Sequence, residues 1–124
     1  MGKHVLLVED EANIIEAMSF LLQREGWTVD THSDGGTAVE TIRQKRPDLV
    51  VLDYMLPNKT GMDILTELRA DPNFVALPIL MLTARGQSRD REQAERAGVS
   101  RFMTKPFSNT EVMTAVRDLV QLAQ

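Results

Sequence analysis

Apolar residues along the chain fall into two spacings. Val5 to Val8, Leu49 to Leu52 and Ile79 to Leu82 are unbroken apolar runs. Short runs of this kind predict strands covered on both faces, as in the middle of a parallel sheet. Trp27 to His32 and Val99 to Met103 mix apolar with polar positions, which predicts edge strands with one side less covered. Between the strands the spacing changes to that of helices. Ile14, Ile15, Met18, Leu21 and Leu22 share one helical face, and Val112, Met113, Val116, Leu119 and Val120 share another. Ala38 with Ile42, and Leu65 with Leu68, mark two shorter helices. Gly26 and Gly98 stand where helices should end with positive φ. The stretch from Gln87 to Ala97 is helical by its alternating charges and by Ala94 and Ala97, but it has no large apolar anchor. It predicts a loosely held helix, and a plainly solvated face is the simpler account of its pattern.

Strand and helix alternate five times without a repeat, a low-complexity tract or a linker. The fold class is therefore α/β: a five-stranded parallel sheet, doubly wound, with residues 1–124 forming a single domain. A chain of 124 residues suits one core. Its formal charge of -4 offers no basic footprint for nucleic acid or an anionic membrane. The absence of cysteine excludes disulfides and thiolate chemistry and is compatible with a reducing cytoplasm. All apolar runs are strand-sized, so no signal peptide or membrane-spanning helix is expected, and the reading is a soluble cytoplasmic protein.

In open parallel sheets ligands bind outside the carboxyl ends of the strands. The first central run is followed by Glu9 and Asp10, the second by Asp53, the third by Thr83 and the last strand by Lys105 and Pro106. Each residue has an ordinary explanation. Asp10 and Glu11 could cap the next helix, Asp53 could form a turn ahead of Pro57 and Gly61, Thr83 could end a strand, and Lys105 could be a surface lysine. Those explanations do not account for three carboxylates, a hydroxyl and an ammonium along one sheet edge. Crowded carboxylates raise one another's pKa unless a cation relieves them, and hard oxygen ligands suit Mg2+, with Mn2+ possible. His4 and His32 have no spacing that reads as a metal site.

The stretches Val5 to Glu11, Leu49 to Pro57 with Gly61, Leu82-Thr83-Ala84, Ala97-Gly98 and Phe102 to Phe107 resemble, in this order, the receiver domain of two-component response regulators. The resemblance covers the whole chain and implies a flavodoxin-like strand order of 2-1-3-4-5. It implies Asp53 as the nucleophile that takes a phosphoryl group from a phosphohistidine. Asp10, Asp53 and the Met55 backbone carbonyl would bind Mg2+ directly, with Glu9 acting through water. Lys105 would pair with a phosphoryl oxygen and Thr83 would hydrogen-bond another. Phe102 falls where the family carries a switch aromatic, although core packing explains it as well. The Lys105–Pro106 bond is expected to be cis on resemblance alone. The partners implied are a sensor histidine kinase or histidine phosphotransfer protein, and a downstream target on residues 87–103 and the last helix.

A rival enzyme reading is a phosphohydrolase of the haloacid dehalogenase type. It needs a second aspartate two residues after the nucleophile, where this chain has Met55. A phosphorylation-independent docking module is the other rival, but it leaves the complete set of acidic, hydroxyl and lysine groups unexplained. Many DNA-binding regulators carry two acidic residues before the switch aromatic. Here Ser100-Arg101 stands instead, which leaves oligomeric state open, and the last helix is expected to run to Gln124.

Overall fold

A computed structural model describes residues 3–83 and 88–122. In chain order the elements are β1 (His4–Val8), α1 (Ala12–Arg24), β2 (Thr28–His32), α2 (Ala38–Lys45), β3 (Leu49–Asp53), α3 (Gly61–Arg69), β4 (Ile79–Thr83), α4 (Ser88–Arg96), β5 (Arg101–Thr104) and α5 (Asn109–Leu122). The strands form one parallel sheet in the order 2-1-3-4-5. As the run lengths predict, β1, β3 and β4 are central and β2 and β5 are the edges. Residues 84–87, including Ala84 and the expected helix start at Gln87, lie outside the described residues, as do Ala123 and Gln124.

Alternation along the strands sorts the core into two layers, since successive side chains point to opposite faces. Leu6, Val8, Val50, Leu52, Ile79, Met81 and Phe102 pack with Ala38, Val39 and Ile42 of α2, Ile64, Leu65 and Leu68 of α3, and Ala94 of α4. On the other face Val5, Leu7, Leu49, Val51, Leu80, Leu82 and Met103 pack with Met18 and Leu22 of α1 and with Val112, Ala115, Val116 and Leu119 of α5. The chain steps from β1 outward to β2, then crosses back to β3, β4 and β5. Right-handed crossovers therefore put α1 on one face and α2, α3 and α4 on the other.

The helix-ending glycines have positive φ as expected, 92° at Gly26 and 96° at Gly98. Two features differ from the sequence reading. First, β3 and β4 each run one residue further, to Asp53 and Thr83, because the ladder continues through the pairs Asp53 with Leu82 and Thr83 with Thr104. Second, α4 is not solvated all round. Ala94 and Asp90 are buried, and the Arg91 guanidinium lies 5.1 Å from the centre of the Phe102 ring. The expectation that α4 lacks large apolar anchors holds, since among its described side chains Ala94 alone belongs to the core. No helix among the described residues is long and apolar enough to cross a membrane.

Candidate functional site

The sheet order decides which strand ends meet. Because β1 and β3 are neighbours, Glu9 and Asp10 after β1 come beside Asp53 at the end of β3. Carboxylate oxygens of Glu9, Asp10 and Asp53 all lie within 4.8 Å of one another. Glu9 and Asp53 are buried, while Asp10 is exposed. Thr83, fully buried, ends β4 next to Asp53. Lys105 is positioned by its backbone N–H, which donates to the Thr83 carbonyl at 2.7 Å. The Lys105–Pro106 peptide is cis.

The Lys105 ammonium reaches back across the sheet edge to three carboxylates. Its Nζ lies 3.0 Å from Glu11 Oε1, 3.3 Å from Glu9 Oε2 and 3.4 Å from Asp53 Oδ1. With only 11% of its side chain exposed, Lys105 is not an ordinary surface lysine. Burial pulls its pKa down. The hydrogen bond to Glu11 and the attraction of Asp53 and Glu9 together outweigh burial and leave it above the usual lysine value.

The acidic pair shows the cost of crowding. Burial, then repulsion from Asp53, raises the Glu9 pKa from 4.5 to about 7, against weaker lowering by the Glu11 backbone N–H and Lys105. Burial raises Asp53 as well, opposed by hydrogen bonds from Glu9, Lys105 and the Met55 backbone N–H. A buried carboxyl pair of this kind shares a proton, here held on the Glu9 side. Hard carboxylate donors, two of them buried and one pushed toward its protonated form by burial and by its neighbour Asp53, fit a divalent cation that would take the proton's place.

Sequence reasoning placed Glu9, Asp10, Asp53, Thr83 and Lys105 at one edge, and all five are there. Met55, whose backbone carbonyl was expected as a ligand, lies in the bend directly after Asp53. Phe102 is buried in the layer with α2, α3 and α4, under Arg91. The helix-capping alternative for Asp10 and Glu11 is corrected. Glu11 occupies the N-cap position of α1 but its side chain caps nothing, because it is drawn to Lys105. Glu11 is the site residue that the sequence reading missed, and its place directly after the acidic pair was the available signal. The histidines stay outside: His4 Nε2 pairs with Asp30 at 2.5 Å and His32 Nε2 with Thr37 at 2.7 Å.

Residues 5–117 match the family model described as response regulator receiver domain. The chain is 43% identical over 94% of its length to "Probable transcriptional regulatory protein TcrX" of Mycobacterium tuberculosis, covering 49% of that protein. It is 37% identical over its whole length to the alkaline phosphatase synthesis transcriptional regulatory protein PhoP of Bacillus subtilis, covering 51% of it. The chain thus spans about half the length of the curated relatives it matches. Among solved structures, the receiver domain of sensor histidine kinase PA1611 from Pseudomonas aeruginosa PAO1 aligns with a TM-score of 0.88 and 30% identity, over 98% of this chain and 99% of that one. That structure has a magnesium ion coordinated in its active site cleft.

Proposed function

Since the chain belongs to the response regulator receiver domain family of two-component signalling, we propose that it is a phosphoacceptor switch in which Asp53 accepts a phosphoryl group and the domain alters a partner-binding face. The observation that carries this is the meeting of Glu9, Asp10 and Asp53 within 4.8 Å, with the Lys105 ammonium in reach of Asp53. Asp10, Asp53 and the Met55 backbone carbonyl would hold Mg2+, with Glu9 behind them. Bound Mg2+ supplies charge neutralisation for the transferring phosphoryl oxygens. The Asp53 carboxylate attacks phosphorus of a phosphohistidine, whose imidazole nitrogen leaves, and an acyl phosphate results. Lys105 exchanges carboxylate partners for a phosphoryl oxygen, and Thr83 at the end of β4 hydrogen-bonds another. The donor is a sensor histidine kinase or a histidine phosphotransfer protein.

Magnitudes limit what Thr83 can do alone. Inverting a population from about 1:99 to 99:1 takes roughly 5.5 kcal/mol. One hydrogen bond to an ionised group gives about 1.5 to 3 kcal/mol. Full switching therefore also draws on the Lys105 pair, on repacking of Phe102 with its Arg91 neighbour, or on a bound target. The face that changes is made by α4, β5 and α5. The acidic chain keeps direct nucleic-acid contact away from this unit. For the transcriptional regulators named above, gene control belongs to proteins about twice this length, and the proposal for this chain is confined to the receiver.

Incubation with Mg2+ and a small phosphodonor such as acetyl phosphate should add one phosphoryl group, with peptide mass mapping placing it on Asp53. Label on another residue, or uptake that persists in excess EDTA, would overturn the reading. A second expectation concerns pH. With the Glu9 pKa at about 7, Mg2+ binding must displace its proton below that pH and need not above it. The Mg2+ dissociation constant should rise about tenfold per pH unit below pH 7 and level off above it. Titrations at pH 6, 7 and 8 check this, and a flat profile would remove Glu9 from the site.

A further inference from the structure

The segment from Tyr54 to Thr60 joins β3 to α3 and lies in neither helix nor strand. It carries Met55, and so the backbone carbonyl of the proposed ligand set. At its near end Tyr54 N–H donates to the Leu82 carbonyl and Gly61 N–H to the Tyr54 carbonyl, both at 2.8 Å. Its far end is tied to the turn after β2, which is remote in sequence and on the other side of β1. Asn58 Nδ2 donates to Asp34 Oδ1 at 2.8 Å, and Gly35 N–H donates to the Pro57 carbonyl at 3.0 Å. The same Asp34 carboxylate accepts from Gly36 N–H at 3.0 Å and from Thr37 Oγ1 at 3.4 Å, which fixes its orientation.

The two turns are fitted closely to each other. A Cβ at Gly35 would lie 2.1 Å from the Lys59 carbonyl oxygen and 2.9 Å from that of Pro57. Asn58 holds a left-handed φ of 72°, a conformation for which asparagine and aspartate are better suited than other side-chain residues. The hydrogen bond from Asn58, followed by that from Gly36, holds the Asp34 carboxyl below its usual pKa, so the tie persists as an ionised acceptor at neutral pH.

We propose that Asp34 and Asn58 are positioning residues for the phosphorylation site: their hydrogen bond straps the Tyr54–Thr60 segment to the β2–α2 turn and so presets the backbone at Met55 for the divalent cation. The inference rests on the magnesium reading given above. The strap works because a loop ligand is effective only if its backbone is ordered before the cation arrives, and an unstrapped segment must lose that freedom on binding. Neither residue touches the carboxylate cluster directly.

The test is a Mg2+ titration on five proteins, with thermal melting in EDTA as a control for folding. Asp34→Ala removes the acceptor and should raise the Mg2+ dissociation constant about tenfold, the lower end for loss of an outer partner of a metal ligand. Asp34→Asn keeps an acceptor oxygen for Asn58 and Gly36 and should stay within about threefold of wild type, since the neutral bond retains the geometry. Asn58→Asp sets two carboxylates against each other and should weaken binding at least as much as Asp34→Ala. Combining Asp34→Asn with Asn58→Asp restores the bond between the two side chains with donor and acceptor reversed, at the loss of the Gly36 N–H bond to the same oxygen of residue 34, and should recover part of the affinity lost in Asn58→Asp. Recovery in the double variant separates positioning from general loss of structure. Equal affinity in wild type, Asp34→Ala and Asn58→Asp would overturn the strap. Absence of Mg2+ binding in the wild type would instead overturn the magnesium reading on which it rests.

Discussion

Glu9→Gln is expected to make the metal-free protein more stable than wild type at pH 8 while damaging its affinity for Mg2+. Glu9 is wholly buried, and its pKa is about 7 in the fold against 4.5 for an ordinary glutamate. A group that binds its proton more tightly when folded stabilises the fold fully only below its unfolded pKa. That contribution is lost as pH rises, at about 1.4 kcal/mol per pH unit, through the window from pH 4.5 to about 7. Above the window Glu9 is a buried charge opposite Asp53. An amide removes the repulsion but also weakens the contact with Lys105, so the net gain at pH 8 should be roughly 1 to 3 kcal/mol. Near pH 4 the advantage should vanish. Asp53→Asn relieves the same repulsion and should also stabilise the metal-free protein, at the cost of all phosphoryl uptake. Denaturant titrations in EDTA at pH 4.5, 6 and 8 measure the effect. If Glu9→Gln were less stable than wild type at every pH, the crowding argument would be wrong.

Gly61→Ala is expected to be the most damaging small substitution near the site. A Cβ there would sit 2.3 Å from the Asp53 carbonyl oxygen and 3.0 Å from Tyr54 Cα. Both are backbone atoms, so no side-chain rotation can relieve the clash. Overpacking typically costs about 1 to 3 kcal/mol, and with an unyielding neighbour the upper end or more applies. The usual gain from replacing glycine, about 0.4 to 1 kcal/mol through the unfolded chain, is too small to offset it. The melting temperature should fall by roughly 10 °C or more for a chain of this size. Relief can come only by shifting the end of β3, which carries Asp53, and about 1 Å of misplacement can cost on the order of a hundredfold in rate. Phosphoryl uptake should therefore fall even at temperatures where the variant is folded. A melting curve within a few degrees of wild type, with normal uptake, would show that the turn accommodates a methyl group.

Both predictions depend on facts of different origin. The identity of Asp53 as a strand-end carboxylate was legible from Leu49 to Leu52, because an apolar run followed by a polar residue is a local signal. The closeness of Gly61 to Asp53 was not legible. Gly61 resembled any turn glycine, and only the return of the chain from β3 into α3 brings its Cα against the strand end. Glu9 and Asp10 were equally visible as acidic residues after a strand, yet their sequence order does not say which one is buried. The fold buries Glu9 and leaves Asp10 exposed.

The charge-rich α4 marks a limit of pattern reading. Its C-terminal end was recovered to within a residue, but Asp90 was indistinguishable from its solvated neighbours. Its burial depends on how closely α4 packs on the sheet, where Ala94 joins the core layer and β5 lies against the helix. Likewise Arg91 and Phe102 are eleven residues apart in the chain, and nothing in either spacing predicts that a guanidinium covers the ring. Asp34 and Asn58 are separated by a helix and a strand and carry no shared motif.

Taken by itself, the sequence determined which segments are strands and helices, which strands are central, and which chemical groups stand at the strand ends. These properties follow from periods of two and 3.6 residues and from residue type, which are read within a few neighbours. The tertiary structure alone decided that Lys105 meets Glu9 and Glu11, 96 and 94 residues earlier, that Asp34 straps Asn58, and that Glu9 is forced toward its protonated form. Those contacts arise from the order in which parallel strands are laid beside one another and from the handedness of their crossovers, a long-range choice that no local period encodes.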